Sequence, residues 1–325
     1  MNRSLKLESW FRQSRCRAGI ALLVLFLLAL GGASAKAAEK PAGKAYASPE
    51  AAVQALVAAA RTADPLRLLE VLGADARDLV FSGDTVEGKR EAENFVKEYE
   101  EKHHLRKISE ERAILELGAD DWPFLIPVIR VDGKWYFDVA AGREELLNRR
   151  IGRNELTAIQ VMLAYVNAQL EYASQDRDGD GIFEFAQKIR SDPGRKNGLY
   201  WPVAEGEKPS PFGPLVARAA TEGYAASEQP QPYHGYYYRI VTRQGKNAPG
   251  GAYDYIVNGN MVLGFGMIAW PAKYGVSGIM TFAVNQEGVI YQCDLGPDTD
   301  KIIHEIVKYN PDEHVWVKVS EQDLQ

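Results

Sequence analysis

Apolar residues in the first part of the chain recur at helical spacing. Residues 50–60 follow Ser48-Pro49, a helix-start signal, and carry apolar side chains three and four positions apart. Asp64-Pro65 begins a second short helix, and the charged segment 86–104 has the composition of a helix on the protein surface. The pattern therefore predicts helices as the first folded elements.

Strand-like runs follow these helices. Residues 112–117 form a half-alternating run. An apolar run at 124–131 is interrupted by Pro127, which predicts an edge strand or a bulge because proline cannot donate to a sheet ladder. Asp132-Gly133 then precedes another extended run, and Asp-Gly between two such runs is a strong hairpin signal. Helices followed by an antiparallel sheet predict an α+β module over residues 48–140.

A long helix and a β-rich segment complete the pattern. Residues 141–172 carry an apolar face at helical spacing, which predicts a connecting helix within 141–175. The β-rich C-terminal module, residues 176–325, contains six runs of strand character: 236–242, 253–257, 261–270, 278–284, 289–293 and 315–319. The predicted fold class is α+β, with two modules of helices plus an antiparallel sheet joined by the long helix.

The N-terminus has the three parts of a secretory signal peptide. A basic segment precedes the apolar run at 18–30, and small residues of the A-x-A type follow at 33–37. The alternative is an uncleaved membrane anchor, but a run of about 13 residues is shorter than the ~20 that span a bilayer. We predict a signal peptide over 1–35, a linker over 36–47, a periplasmic or secreted protein, and no stable membrane span after cleavage.

Charge and cysteine content narrow the function classes. Signal cleavage moves the formal net charge from -6 to about -10, which argues against nucleic acid or an anionic membrane as the partner. Cys16 leaves with the signal, so Cys293 is the only thiol of the mature chain and no intramolecular disulfide can form. Cys293 lies in a strand-like run, which predicts a small half-buried strand residue rather than a nucleophile.

One acidic loop carries the sharpest chemical signal. Asp176, Asp178 and Asp180 occupy positions 1, 3 and 5 of a short loop, Gly181 stands at the turning position 6, and Glu184 at position 9. Oxygen ligands at this spacing hold Ca²⁺ in extracellular modules, with weak affinity where charge is low. The departure is position 12, where Gln187 replaces the bidentate glutamate. The loop is therefore a candidate Ca²⁺ site with Asp176, Asp178, Asp180 and Glu184 as ligands.

The alternative interpretation of this segment involves no metal. It would be an acidic turn that caps a helix over residues 183–189. Three carboxylates within five residues repel one another without a counterion, and this repulsion favours the calcium interpretation.

No other motif indicates an active site. The five histidines form no pair at i,i+3 or i,i+4, and phosphate-loop and Gly-x-Ser-x-Gly motifs are absent from the sequence. His234 lies within the aromatic segment Tyr233–Tyr238, which could line a pocket. Aromatic residues in strands, however, more often form the core and cross-strand pairs.

A series of short motifs resembles an exported bacterial family. The motifs are DDWPF at 120–124, RRIGRNE at 149–155, DGDG at 178–181, GLYWP at 198–202, SPFGP at 210–214, PYHGYYYRI at 232–240, QGKNAPGG at 244–251 and AWPAKYGVSGIMTF at 269–282. Together they resemble the family catalogued as domain of unknown function 2950, over about residues 45–320. The resemblance implies an envelope or secreted location and brings no activity. A fold-level likeness to type IV pilins, some of which bind calcium, rests on element order alone.

These observations favour a non-enzymatic envelope protein that serves as a binding or structural component, with calcium as a stabilising ion and an unknown protein or envelope component as partner. One alternative is a periplasmic hydrolase whose site includes His234 beside Asp254 and the Tyr233–Tyr238 cluster. Another is a pilin-like scaffold subunit, which predicts an exposed apolar face on the helix at 141–172.

Overall fold

The computed structural model describes residues 41–177, 179–225 and 230–320, and the predicted signal peptide lies outside these ranges. The fold is mixed α+β, as the sequence pattern predicts. Its described residues divide into two compact units. The N-terminal unit contains residues up to 81 together with 88–146, and the C-terminal unit contains 82–87 together with the chain from 147 onwards. The sequence pattern did not predict that the short segment 82–87 belongs to the second unit.

The first helices begin where the sequence signals place them. Helices α1 and α2 span Pro49–Thr62 and Pro65–Leu72. The Ser48 hydroxyl accepts a hydrogen bond from the Ala51 amide at 3.1 Å, and an Asp64 carboxylate oxygen accepts one from Leu66 at 2.9 Å. Both caps satisfy amides that have no partner within the helix. Helices α3 (Arg77–Val80) and α4 (Thr85–Glu101) follow.

The N-terminal unit has an antiparallel sheet. Its strands are β1 (His103–Ser109), β2 (Arg112–Leu117), β3 (Trp122–Pro123), β4 (Val128–Val131) and β5 (Lys134–Phe137). The order is β1-β2-β4-β5, with β3 paired to β2. Asp132 and Gly133 both have positive φ, at 50° and 75°, and connect β4 to β5 as the predicted hairpin.

Two expectations for this sheet were wrong. Of the two alternatives for the run at 124–131, the edge strand is wrong, because β4 begins only at Val128 and lies between β2 and β5. The bulge fits the pairing, because the two β2 residues between Ala113 and Glu116 lie opposite the four residues between Pro123 and Val128. Pro127 thus lies just before β4, where its missing amide hydrogen does not interrupt the hydrogen bonds of the sheet. Strand β1 was not predicted, and the charged helix was expected to continue to residue 104. All but one residue of β1 is exposed, so it lacks the alternation of a half-buried strand.

The C-terminal unit is built on a second antiparallel sheet. Helix α5 spans Val139–Tyr172, with its residues from 147 in this unit, and is followed by α6 (Gly213–Thr221) and α7 (Thr299–Ile302). The strands are β6 (Tyr236–Val241), β7 (Arg243–Gln244), β8 (Tyr253–Asp254), β9 (Ile256–Val257), β10 (Asn260–Met261), β11 (Gly266–Pro271), β12 (Met280–Asn285), β13 (Tyr291–Asp294) and β14 (Val317–Lys318). The main sheet has the order β14-β13-β12-β11-β6, and β7–β8 and β9–β10 form small ladders.

Helix α5 contributes much of the core of the C-terminal unit. Met162 and Tyr165 are fully buried in one cluster with Phe265 and Phe282. The Tyr165 hydroxyl donates to the Gly266 carbonyl at 3.1 Å, so the polar end of this aromatic ring is satisfied inside the core. Among the residues that the structure describes, none of the helices combines the length and the apolar character needed to cross a membrane.

Candidate functional site

The acidic loop begins and ends at fixed points on helix α5. Arg177 donates from Nε to the Tyr172 carbonyl at 3.1 Å and from its guanidinium to the Glu171 carbonyl at 3.0 Å, which satisfies carbonyls at the helix end. At the other end, Gln169 and Ala186 exchange two hydrogen bonds of 2.8 Å between the Gln169 side chain and the Ala186 backbone. Gln169 is fully buried. The loop therefore has anchored ends.

Asp176 closes the first half of the loop. Its two carboxylate oxygens accept hydrogen bonds from the Gly179 amide at 2.7 Å and the Gly181 amide at 3.0 Å. Gly179 and Gly181 have φ values of +84° and +87°, a region that other residues rarely adopt. The chain thus turns around the first carboxylate, and Gly181 makes the sharp turn expected at position 6 of a calcium loop.

The second half of the loop is attached to the β9–β10 hairpin. Asp180 accepts from the Ile182 amide at 2.7 Å and from the Asn260 side-chain amide at 3.1 Å. Glu184 accepts from the Met261 amide at 3.3 Å, and Phe185 donates its amide to the Met261 carbonyl at 2.8 Å. The expected alternative helix at 183–189 is wrong, because residues 182–184 are irregular and Phe185 forms a β-bridge with Met261.

These contacts fit a calcium site in part. Asp176, Asp180 and Glu184 carry the hard carboxylate oxygens that Ca²⁺ prefers, at positions 1, 5 and 9 of the loop, and Asp178 at position 3 lies outside the described residues. Gln187, at position 12, donates its side-chain amide to the Gly259 carbonyl at 2.5 Å, so this part of its side chain contacts the hairpin. Within the described ranges, no group of three or more acidic, histidine or cysteine side chains is close enough to hold a metal.

His234, the second candidate, is buried within a polar cluster. Only 6% of its surface is exposed, and its backbone has a positive φ of 48°. Its Nε2 lies 2.8 Å from Glu222 Oε2, and that carboxylate also accepts from the Tyr233 hydroxyl at 3.1 Å. The acidic neighbour is therefore Glu222 on the chain after α6. Asp254, which the hydrolase alternative placed beside His234, instead lies 3.3 Å from Arg243.

Several hydrogen-bond donors contact Glu222 and shift its pKa. Burial raises its pKa, but hydrogen bonds from His234 and from Arg218 outweigh this effect and hold the pKa of Glu222 below its usual value. A depressed carboxyl pKa means that Glu222 stabilises the fold above the pKa it has in the unfolded chain. This contribution is lost as pH falls through the lower folded value.

Asp84 connects the segment around His234 to the start of α4. It is 2% exposed, and one oxygen accepts from the amides of Val86 at 3.1 Å and Glu87 at 3.0 Å. The other oxygen accepts from the Tyr224 hydroxyl at 2.9 Å and the Gly235 amide at 3.0 Å. Asp84 is thus both a helix cap and the centre of a buried hydrogen-bond network within the C-terminal unit.

Cys293 and the tyrosine cluster lie on strands of the main C-terminal sheet. Cys293 is 3% exposed on β13, in register with Thr281. Tyr236 is fully buried and donates its hydroxyl to the Met280 carbonyl at 2.9 Å, while the Tyr237 ring packs against Trp270. The strand position predicted for Cys293 agrees with the structure, but the side chain is buried rather than half-buried. The neighbouring residues Tyr236 and Tyr237 lie on opposite faces of the sheet.

Sequence reasoning missed the residues that organise both candidate sites. Gln169 is a polar residue on a mostly apolar helix face that also carries Asn154, and such a residue was the available signal for a buried hydrogen-bond partner. The Asp84 cap of α4, with Glu87 three residues later, follows the usual capping pattern, and this local signal was also available. Nothing local indicates that Glu222 or Asn260 contacts distant chain segments.

Comparisons with known proteins give a family and no activity. Neither the curated proteins nor the solved structures contain a match to this chain. The sequence does match the family described as Protein of unknown function (DUF2950) over residues 43–319, which includes the acidic loop, His234 and Asp84. Because the match covers most of the chain, the protein belongs to the DUF2950 family.

Proposed function

We propose that this chain is an exported envelope protein with a non-enzymatic binding or structural role, whose C-terminal unit is stabilised by Ca²⁺ at the 176–187 loop. The observation that carries the proposal is the closed acidic loop, which Asp176 turns and which Asp180 and Glu184 attach to the β9–β10 hairpin. Since the loop contacts both α5 and this hairpin, a cation held there would stabilise contacts between distant parts of the unit.

The chemistry of the loop supports a weak, structural ion site. Asp176, Asp178, Asp180 and Glu184 would supply oxygen ligands, and the neutral Gln187 at position 12 adds no charge. Dissociation constants of about 10⁻⁴–10⁻³ M are typical of extracellular calcium modules. Such an affinity suits a compartment with abundant calcium better than it suits a cytosolic sensor.

Export is tested by the N-terminus of the protein in its native cells. We expect mature chains that start at Lys36 or Ala38, because small residues follow the apolar run of a signal peptide there. Mass spectrometry of protein from the cell envelope and the growth medium measures this directly. Peptides from residues 1–30 on a membrane-bound intact chain would support an uncleaved anchor instead.

The hydrolase alternative rests on one pair of side chains. Glu222 is within hydrogen-bond distance of His234, as an orienting carboxylate would be for a general base. The same contacts are also consistent with a structural role. His234 is buried, and Glu222 accepts hydrogen bonds from both Tyr233 and His234. We therefore place the pair with the stabilising contacts of the fold.

This assignment predicts that no turnover depends on His234 or Cys293. His234→Ala should lower the melting temperature, since a buried hydrogen-bonded ring is removed, while Cys293→Ser should change cellular function little. The measurement is a screen of esterase, phosphatase and peptidase substrates with the mature wild type and both variants. An activity present in the wild type and lost in a folded variant would overturn the non-enzymatic assignment.

A further inference from the structure

Helix α5 presents three leucines to solvent at heptad spacing. Leu156, Leu163 and Leu170 are 40%, 38% and 52% exposed. A seven-residue repeat keeps side chains on one stripe of a helix, and it is the spacing by which two helices pack along their length. These three leucines, here called the leucine stripe, lie in the C-terminal unit, on a helix that also supplies its core.

One side of the leucine stripe is polar and the other belongs to the core. Arg153, Gln160 and Asn167 are exposed, and Glu171 is half-exposed. At 100° per residue these four side chains lie about 40–80° to one side of Leu163. On the opposite side, Ile159 and Val166 are buried. The stripe is therefore an apolar seam with a single polar flank, and that flank is basic at its start and acidic at its end.

We propose that the leucine stripe is the interface of a homodimer in which two α5 helices pack antiparallel around a two-fold axis at Leu163. In this arrangement Leu163 meets its own copy, and Leu156 meets the partner's Leu170. Arg153 is about 15 Å before the axis and Glu171 about 12 Å after it, at 1.5 Å per residue, so each lies level with the other's copy. A two-fold axis of this orientation keeps both residues on the same flank.

Charge complementarity selects this occupant and this direction. The antiparallel pair places Arg153 beside the partner's Glu171 at each end of the seam, and Gln160 beside the partner's Asn167 close to the axis. In a parallel pair the two polar flanks would lie on opposite sides of the seam, so Arg153 would meet no carboxylate of the partner's flank. Within the chain, Arg153 lies 3.6 Å from Glu87 and Lys208 lies 2.9 Å from Glu171, so each residue also has a partner of opposite charge in its own chain.

Charge-swap variants distinguish an effect on the dimer interface from an effect on these contacts within the chain. Arg153→Glu and Glu171→Arg should each raise the dimer dissociation constant about tenfold, because each variant creates two repulsive pairs. The double variant should restore dimerisation, since the swapped charges again face each other across the interface. The contacts with Glu87 and Lys208 are lost in the double variant, so an effect that acts only within the chain would not be restored.

Leucine variants test the apolar seam. Sedimentation of the mature chain should show a dimer, and Leu163→Glu should make it a monomer of unchanged helix content by circular dichroism. The matched control is Leu66→Glu, which changes a leucine of 60% exposure on α2 and should leave the dimer intact. If Leu163→Glu fails to fold, the charge-swap series still decides.

Thiol cross-linking tests the direction of packing. A short bifunctional thiol reagent should join Leu163→Cys chains to one another and should join Leu156→Cys chains to Leu170→Cys chains. It should leave Leu156→Cys alone unlinked, and buried Cys293 should not react. The proposal is overturned by a wild-type chain that is monomeric at millimolar concentration, by a dimer insensitive to Leu163→Glu, or by linkage of Leu156→Cys to itself.

Discussion

In about 10 mM calcium, the mature chain is expected to melt about 5 °C higher than in chelator. An ion that binds only the folded loop stabilises it by about 1.4–2.7 kcal/mol at this concentration, which is about 10–100 times the proposed dissociation constant. This free energy corresponds to a shift of a few degrees in a unit of this size. Magnesium should raise the melting temperature less, because it requires strict octahedral geometry and retains its waters.

Variants in the loop should remove this calcium response. Asp178→Ala should abolish it and leave the metal-free protein folded, because the change also relieves repulsion among the carboxylates. Asp180→Asn should weaken it while keeping an oxygen that can accept from the Ile182 amide. Glu184→Ala should weaken the response less if that residue binds through water. The control is Asp300→Asn, an exposed aspartate on α7, which should keep the full calcium shift.

Thermal melts followed by circular dichroism measure the response. Coincident wild-type melts in calcium and in chelator would identify the loop as a metal-free acidic turn. Asp176 is a poor choice for this test, because it accepts hydrogen bonds from Gly179 and Gly181 and its removal would destabilise the loop without any metal.

Asp84→Ala is expected to destabilise the C-terminal unit by about 3 kcal/mol or more. The change leaves the buried Gly235 amide and the half-buried Tyr224 hydroxyl without this acceptor, and it also removes the cap of α4. Each buried donor left unpaired costs about 1–3 kcal/mol. Asp84→Asn should cost less, because its remaining oxygen can still cap the helix.

An aspartate that accepts only one side-chain hydrogen bond provides the comparison for Asp84→Ala. Asp312 lies in the same unit and accepts one side-chain hydrogen bond, from the His314 amide at 2.9 Å near the surface. Asp312→Ala should cost about 1 kcal/mol or less. Denaturant unfolding of both variants measures the difference. Equal losses for Asp84→Ala and Asp312→Ala would contradict the central position of Asp84 in the network.

Local chemistry explains which parts of the fold were predictable. The caps at Ser48 and Asp64 and the hairpin at Asp132-Gly133 depend on residues within three or four positions of one another. Their sequence signals therefore contain nearly all of the physics that forms them. The calcium-type turn at Gly181 is predictable for the same reason.

Long-range contacts explain what was missed. His234 contacts Glu222 and Asp84 contacts Gly235 because the fold brings separated segments together, and no periodicity in the sequence encodes that pairing. Strand β1 was missed for a different reason. Its side chains face solvent, so the apolar alternation that marks a half-buried strand never forms.

The attachment of the acidic loop to the β9–β10 hairpin is another long-range contact that the sequence did not predict. Asn260 and Met261 contact Asp180 and Glu184 across about 80 positions of sequence. The local sequence is compatible with Glu184 as a metal ligand or as part of a helix. The predicted helix was wrong, because Phe185 forms a β-bridge with Met261 of the hairpin. The neighbouring strand thus decides the local conformation.

Equilibrium calcium binding tests the central proposal most directly. Isothermal titration of the mature, chelator-treated chain with CaCl₂ should give one site per chain, with a dissociation constant of about 10⁻⁴–10⁻³ M. Asp178→Ala should lose that site, and Asp300→Asn should retain it. A wild-type chain that binds no calcium at millimolar concentration, or an Asp178→Ala chain that binds it as tightly as the wild type, would contradict the proposed role of the 176–187 loop.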